Sequence, residues 1–258
     1  MPITYARALT GRTRTTQANR RLGYTLAFIA GATNAGGFLA VRQYTSHMTG
    51  IVSSMADNIV LGDLGLALTG VGAILSFLIG AASCAVLVNF ARRRRMQSEY
   101  ALTLLLEAFL LLCFGLLGAR LSRIEGLFVP ATVMLLCFIM GLQNAVITKI
   151  SRAEIRTTHV TGIVTDIGIE LGKLAYWNAR DKAPQLAVRA DRSHLRVLSS
   201  LLAAFFIGGV IGALGFKHLG YLSTAPLAML LVALACVPAF DDLAALFRHG
   251  LRSDGRKS

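Results

Sequence analysis

The chain contains six apolar runs, each about as long as a helix that crosses a lipid bilayer. They lie at 22–41, 66–90, 101–119, 127–147, 197–216 and 221–240. A helix rises about 1.5 Å per residue, so about 20 apolar residues cross the roughly 30 Å hydrocarbon core of a membrane. Because 55% of the residues are hydrophobic and only 15% are charged, an ordinary soluble domain is excluded. The predicted fold class is all-α: a polytopic membrane protein with six transmembrane helices.

The Lys and Arg residues are concentrated on one side of these six segments. Twenty-two of them lie in the two tails and in the loops after the second and fourth spans, and the other side carries Arg42, Arg120, Arg123 and Lys217. Cytoplasmic loops retain cations, so we expect an inner-membrane protein with both termini in the cytoplasm. Orientation then explains the net charge of +13. Anionic lipid at the cytoplasmic face is an expected partner, and nucleic acid is not.

A nine-residue sequence occurs twice, at 45–53 and at 157–165, with six identical positions and two exchanges of Ser for Thr. The segments 31–35 and 141–145 also correspond. Small residues at four-residue spacing follow each copy, namely Gly72, Ser76 and Gly80, and Ala204, Gly208 and Gly212. Each half of the chain contains one copy of this sequence and three predicted spans. Because three is an odd number, the second half enters the membrane from the opposite side and is inverted relative to the first. The prediction is a basic tail 1–21, a repeat 22–119, an inverted repeat 127–240 and a cytoplasmic tail 241–258.

Each copy carries a His-x-Thr-Gly motif between its first and second spans, on a short polar helix that is either re-entrant or interfacial. Ser46 and Thr158 are expected to cap the two helices. Inverted repeats are common in secondary transporters, whose substrate sites lie near the midplane where the halves meet. The histidines could instead serve only as caps. The candidate substrate-binding residues are Asn34, His47, Thr49, Gly50, Asn144, His159, Thr161 and Gly162.

Four carboxylates are candidates for an ion or coupling site. On one helix face Gly50, Ser54 and Asn58 correspond to Gly162, Asp166 and Glu170 in the second copy, and Glu107 is the lone acid in the leucine-rich run 102–117. An ionisable group inside a membrane span is a functional candidate. The alternatives are that Lys173 or Arg156 holds the acidic pair and that an Arg pairs with Glu107. The candidate coupling residues are Asp57, Glu107, Asp166 and Glu170.

No phosphate-binding loop, His-Glu-x-x-His zinc motif or Gly-x-Ser-x-Gly nucleophile elbow occurs in the chain. We therefore expect neither an enzyme nor a cofactor, and we leave a metal site undecided. An intramembrane metal-dependent hydrolase that uses both motif histidines remains an alternative. The four cysteines lie singly in apolar runs and are expected to be buried thiols.

Several of these segments resemble the YoaK-like family of uncharacterised bacterial integral membrane proteins. They are Ala30 to Phe38, His47-Met48-Thr49-Gly50, Gly141 to Ala145 and Thr158 to Gly162. The resemblance covers nearly the whole chain apart from the tails. It implies a polytopic inner-membrane protein and does not imply a substrate.

The repeat, the opposed motifs and the intramembrane carboxylate favour a secondary transporter or permease for a small solute, coupled to protons, with its site between the repeats. The alternative is a non-transporting membrane protein that acts as a partner-binding or assembly factor. The expected partners are the lipid bilayer and an unidentified small molecule or ion. A homo-oligomer is an open option.

Overall fold

The computed structural model describes residues 15–94, 96, 99–121, 125–150, 160–176 and 188–236, and the regular secondary structure of these residues is helical. The long helices are α1 (Thr16–Val41), α3 (Leu64–Arg93), α4 (Ala101–Leu121), α5 (Glu125–Ile150) and α7 (Arg192–Leu219). The shorter ones are α2 (Met48–Val60), α6 (Val160–Ala175) and α8, described over 224–236. Thr158 and His159 lie outside the described residues.

Five helical segments of the described chain are long and apolar enough to cross a membrane. Four of them, Thr16–Val41, Leu64–Arg93, Ala101–Ala119 and Val129–Ile150, coincide with the first four predicted spans. The predicted all-α membrane protein is therefore confirmed in its helical structure and in its long apolar helices.

The fifth segment, Arg192–Cys236, contains 45 residues and covers the predicted span 197–216 and residues 221–236 of the last predicted span. A straight helix of that length would extend roughly 68 Å, about twice the hydrocarbon core. The chain instead turns at Gly220, where φ is 60° and ψ is −140°. A Cβ on Gly215 would lie 3.0 Å from the Ser223 hydroxyl oxygen. Since eight residues of straight helix would separate those two positions by about 12 Å, α8 folds back from α7.

Side-chain caps begin three of the helices. Thr15 accepts a hydrogen bond from the Ala18 N–H at 3.2 Å, and Asp63 accepts one from the Leu66 N–H at 3.0 Å. At the start of α7, Asp191 accepts from the N–H groups of the second and third residues, at 2.8 and 2.9 Å. These bonds satisfy donors that have no partner within the first turn of a helix.

The expected cap at Ser46 was wrong. The residue before α2 is His47, which makes no side-chain capping bond. The Ser46 hydroxyl instead donates to Asn34 Oδ1 at 2.9 Å. Asn34 is nine-tenths buried, and an amide in that position needs a partner. Because the buried Asn34 oxygen needs a donor, the Ser46 hydroxyl bonds to Asn34 and does not cap α2.

The most extensive helix contacts join α1 to α7 and α3 to α5. Between α1 and α7, Gly31 faces the Phe205 carbonyl oxygen and Gly208 faces the Phe28 carbonyl oxygen. A Cβ at either glycine would overlap the facing oxygen. The absent side chains therefore let the two backbones touch, which is a usual arrangement for helices packed in lipid.

The contact between α3 and α5 repeats this arrangement at corresponding positions. Gly141 faces the Phe77 carbonyl oxygen, and Gly80 faces the Phe138 carbonyl oxygen. Each residue lies 110 or 128 residues along the chain from its counterpart in the first contact. The first long helix of each copy thus packs on the next long helix of the other copy.

These contacts correct the register of the small-residue stripes by one helical turn. Taken in order along the two stripes Gly80 corresponds to Gly212, whereas in the packing it corresponds to Gly208. A stripe that repeats every four residues superposes on itself after a shift of one turn, so the pattern alone could not select the register.

α1 and α7 run parallel, whereas α1 and α5 run antiparallel. Along α1, Phe28 lies beside Gly208, and Gly36 lies beside Phe216 further along both helices. By contrast, Gln143 Nε2 of α5 donates to a carbonyl oxygen in the first half of α1, at 3.3 Å, whereas the earlier α5 residue 136 contacts the second half of α1. The first long helices of the two copies therefore point in opposite directions.

α2 and α6 lie at opposite ends of the bundle. α2 follows the end of α1, and its Met55 packs on Gly70 near the start of α3. α6 contacts the start of α7, where Glu170 accepts a hydrogen bond from the Asp191 N–H at 2.8 Å. Because α1 and α7 are parallel, the start of α7 lies at the other end from α2.

Candidate functional site

A cleft of about 330 Å³ lies between α2, the start of α3 and the loop that joins α1 to α2. We call it the His47 cleft. The stripe of Gly50, Ser54 and Asn58 predicted on one face of the motif helix lines it. Its other lining residues are Arg42, Gln43, Tyr44, His47, Ile51, Met55, Leu66, Thr69 and Gly70. The cleft therefore combines polar donors and acceptors with a short apolar wall, as small-molecule sites usually do.

The His47 ring lies directly over the first turn of α2 because Gly50 has no side chain. A Cβ on Gly50 would lie 2.5 Å from His47 Nδ1 and 2.9 Å from Cε1. Any residue other than glycine would push the imidazole away from the helix. The His-x-Thr-Gly spacing thus positions the ring at the edge of the cleft.

The bond between Ser46 and Asn34 ties the loop that carries His47 to the inside of the bundle. Asn34 belongs to α1, and the Oδ1 that accepts this bond belongs to a largely buried side chain. Asn34 therefore positions the loop and is not among the residues that line the cleft. Thr49 and Asp57 are both exposed on α2 and also do not line it.

Arg42 is the cation at the mouth of the cleft. It caps the end of α1 through its N–H, which donates to the Phe38 carbonyl oxygen at 2.8 Å, and its φ is 55°. A positive φ is uncommon for residues other than glycine. Neither of the salt bridges found in the described residues involves Arg42. In the sequence Arg42 informed only the orientation of the chain in the membrane, because its place in the same cleft as His47 depends on the turn after α1.

The interior of the bundle holds an unpaired carboxyl group, that of Glu107 on α4. The side chain has 0% exposure, and both of its oxygens lack a hydrogen-bond partner among the described residues. Thr103, one turn earlier, is equally buried. Cys84 of α3 lies close to both. The alternative of an Arg paired with Glu107 is not found in the described part of the chain.

Two amides of α5 face the interior near its contact with α1. Gln143 is fully buried and donates to the Leu26 carbonyl oxygen at 3.3 Å. Asn144 is also buried, and its Nδ2 donates to the Met140 carbonyl oxygen of its own helix at 2.8 Å. Gln143 therefore joins α5 to α1, and it was not among the residues predicted from the sequence.

The second motif is exposed where the structure describes it. Thr161, Gly162 and Asp166 all lie on the surface of α6, and a Cβ on Gly162 would meet nothing within 4 Å. This open space contrasts with the crowded position of Gly50 below the His47 ring. His159, the other predicted member of this motif, lies outside the described residues.

Glu170 fastens α6 to the start of α7. One carboxylate oxygen accepts from Lys173 Nζ at 2.7 Å, and the other accepts from the Asp191 N–H at 2.8 Å. Both bonds stabilise the carboxylate, so Lys173, and then Asp191, hold the pKa of Glu170 below its ordinary value. Bonds from the N–H groups of His194 and Ser193 likewise lower the pKa of Asp191. The alternative in which Lys173 holds Glu170 therefore describes this structure.

The predicted site residues form separate groups in this conformation. His47 and Gly50 share the His47 cleft, Asn34 supports it, and Glu107 lies alone in the interior. Asp166 and Glu170 lie at the other end of the bundle. Among the described residues, no three His, Cys, Asp or Glu side chains are grouped as metal ligands.

Comparison with known proteins gives a family and no named relative. A family model described as "Protein of unknown function (DUF1275)" matches residues 22–237. No curated protein and no solved structure matches the chain. The match spans both copies of the motif and all the described helices apart from the first six residues of α1, and it confirms the resemblance to YoaK-like membrane proteins. The chain belongs to the DUF1275 family.

Proposed function

We propose that the protein is a secondary transporter or permease for a small solute, coupled to protons, in the bacterial inner membrane. The observation that carries this proposal is Glu107, a buried carboxyl group without a partner among the described residues. Such a group is costly to keep in a membrane span and is commonly found on proton or ion pathways. An assembly factor whose helices only pack together gains nothing from it.

The helix contacts support two inverted repeats with six membrane crossings. Equivalent glycines join α1 to α7 and α3 to α5, and the first long helices of the two copies are antiparallel. The turn at Gly220 divides the 45-residue segment into two crossings. Two halves related in this way can exchange conformations, which opens a site alternately to each side of the membrane.

In this proposal the His47 cleft is the outward entrance and Glu107 carries the proton. The cleft opens at the end of the bundle where Arg42 and His47 are exposed. Glu107 lies six residues inside α4, which begins after the basic segment 92–95 and therefore at the cytoplasmic side. Rearrangement of the two halves would then bring solute and proton into one path.

The surroundings of the protein are also part of the proposal. Anionic lipid is the expected neighbour of the basic cytoplasmic face, nucleic acid and a cofactor are not needed, and no catalytic step is assigned. The apolar sides of α3 and α7 leave room for a homo-oligomer, which the transport cycle described here does not require.

Reporter fusions test the proposed orientation. A fusion after Arg95 is expected to report the cytoplasm and a fusion at Gln43 the outside, because the first lies in the basic face and the second beside the His47 cleft. Paired alkaline phosphatase and green fluorescent protein fusions measure this in whole cells. If both sites report the same side, the inverted arrangement is wrong.

Solute-driven proton uptake tests transport directly. Purified protein is placed in vesicles loaded with a pH-sensitive dye, and small carboxylates, amines, sugars and amino acids are added outside in turn. The interior of the vesicles is expected to acidify when the added solute is a substrate. Vesicles without protein and vesicles that contain the Glu107→Gln variant are the controls. If no solute in such a panel gives a signal that depends on Glu107, the assembly-factor alternative is favoured.

A further inference from the structure

The His47 cleft has a charge balance that selects among solutes. Of its twelve lining residues, Arg42 is a permanent cation and none is an acid. Two acids lie close to these residues in sequence: Asp57 is exposed on α2 and does not line the cleft, and Asp63 is engaged as the cap of α3 through its bond with the Leu66 N–H. Arg42 has no salt-bridge partner in the described part of the chain. The cleft therefore offers a cation that has not been neutralised.

From this geometry we infer that the His47 cleft binds a small organic anion, a monocarboxylate with a short apolar chain. The inference rests on the proposed function and names its substrate class. The Arg42 guanidinium presents paired N–H donors that match the two oxygens of a carboxylate. Ile51, Met55 and Leu66 supply the apolar wall for the hydrocarbon part. At about 330 Å³ the cleft lies at the lower end of the usual volume of ligand pockets.

The second copy of the repeat strengthens the inference by contrast. The positions that carry Ser54 and Asn58 in the cleft carry Asp166 and Glu170 in α6. Glu170 is paired with Lys173, but the exposed Asp166 would repel a carboxylate, whereas the copy that forms the cleft has neutral hydrogen-bonding side chains at both positions. The inference therefore places the anion in the first copy.

Three solutes of similar size test the charge of the ligand. Butyrate, butyramide and butylammonium each contain four carbon atoms and differ in charge, so comparing their binding to the full-length protein in lipid nanodiscs isolates the effect of that charge. We expect butyrate to bind at least tenfold more tightly than either of the others in calorimetry. Equal or tighter binding of the amide or the amine overturns the inference, as does failure of every carboxylate from acetate to hexanoate to bind.

Variants of the cleft locate the site. Arg42→Gln is expected to remove the preference for butyrate, and Arg42→Lys to keep part of it, because the charge remains without the paired donors. Gly50→Ala displaces the His47 ring and is expected to weaken butyrate binding at least threefold. Gly168→Ala makes the same change in open space, at a residue with no proposed role in binding, and is the matched control. Unchanged butyrate binding by Arg42→Gln contradicts the proposed site.

Separate readouts distinguish this inference from the proposed function. Butyrate binding without solute-driven proton uptake upholds the anion site and removes transport. Proton uptake driven by amines or amides, with no effect of Arg42→Gln, upholds transport and removes the anion site.

Discussion

Replacing Glu107 with Leu is expected to make the folded protein more stable and to abolish solute-driven proton uptake. Both carboxyl oxygens are buried without a hydrogen-bond partner among the described residues. An unsatisfied buried polar group costs about 1–3 kcal/mol, and an apolar side chain of similar size removes that cost. A residue that weakens the fold and persists in a membrane span is explained most simply by its chemistry.

The stability change is measured as the midpoint of thermal unfolding in detergent, and the functional change as proton uptake in vesicles. Glu99 offers a matched control. It lies near the start of the same helix, and its carboxylate is paired with Arg92 at 2.9 Å. Glu99→Gln is expected to lower stability slightly or not at all and to leave proton uptake intact. If Glu107→Leu lowers the unfolding midpoint, Glu107 has a structural partner and the proton-carrying role loses its support.

Four glycines lie where two long helices touch, and we call them the crossing glycines. Alanine at any of them is expected to destabilise the bundle strongly. A Cβ at Gly31, Gly80, Gly141 or Gly208 would overlap a backbone carbonyl oxygen of the facing helix. A backbone cannot turn aside as a side chain can, so the helices must separate. We expect each substitution to cost at least the 1–3 kcal/mol that is typical of overpacking.

Three glycines of α6 provide the control for these substitutions. A Cβ on Gly162, Gly168 or Gly172 would meet no atom within 4 Å. Alanine there is expected to leave stability unchanged or to raise it by up to about 1 kcal/mol, because alanine favours helix more than glycine does. Thermal unfolding of all seven variants in one detergent makes the comparison. Similar midpoints for the crossing and the control variants would show that the close helix contacts do not hold the bundle together.

The contact between α1 and α7 is equivalent to the contact between α3 and α5, and this equivalence adds a quantitative expectation. Gly80 and Gly208 occupy corresponding places against Phe138 and Phe28, so alanine at either one is expected to lower the midpoint by a similar amount. A large difference between the two would mean that the copies of the repeat contribute unequally to stability.

Much of the architecture was predictable because it depends on features that are local in the sequence. Apolar runs of about 20 residues predict membrane-spanning helices wherever they occur, since each such helix satisfies its own backbone hydrogen bonds in lipid. Four predicted spans coincide with four helical segments, and the fifth segment contains the next predicted span and most of the last one. The polar stripe of Gly50, Ser54 and Asn58 was also predictable, because its spacing is that of a helix face.

The sequence by itself therefore determined the helices, the two copies of the motif and the polar face of α2. The tertiary structure decided which groups meet: Asn34 takes the Ser46 hydroxyl, Lys173 takes Glu170, and Glu107 has no partner among the described residues. It also showed that Gly80 and Gly208 occupy corresponding positions in the two helix contacts, and it placed Arg42 and His47 in one cleft. The physical reason is that periodicity specifies a face of one helix, whereas partners depend on distances between helices, which differ by about 5.4 Å for each turn of register.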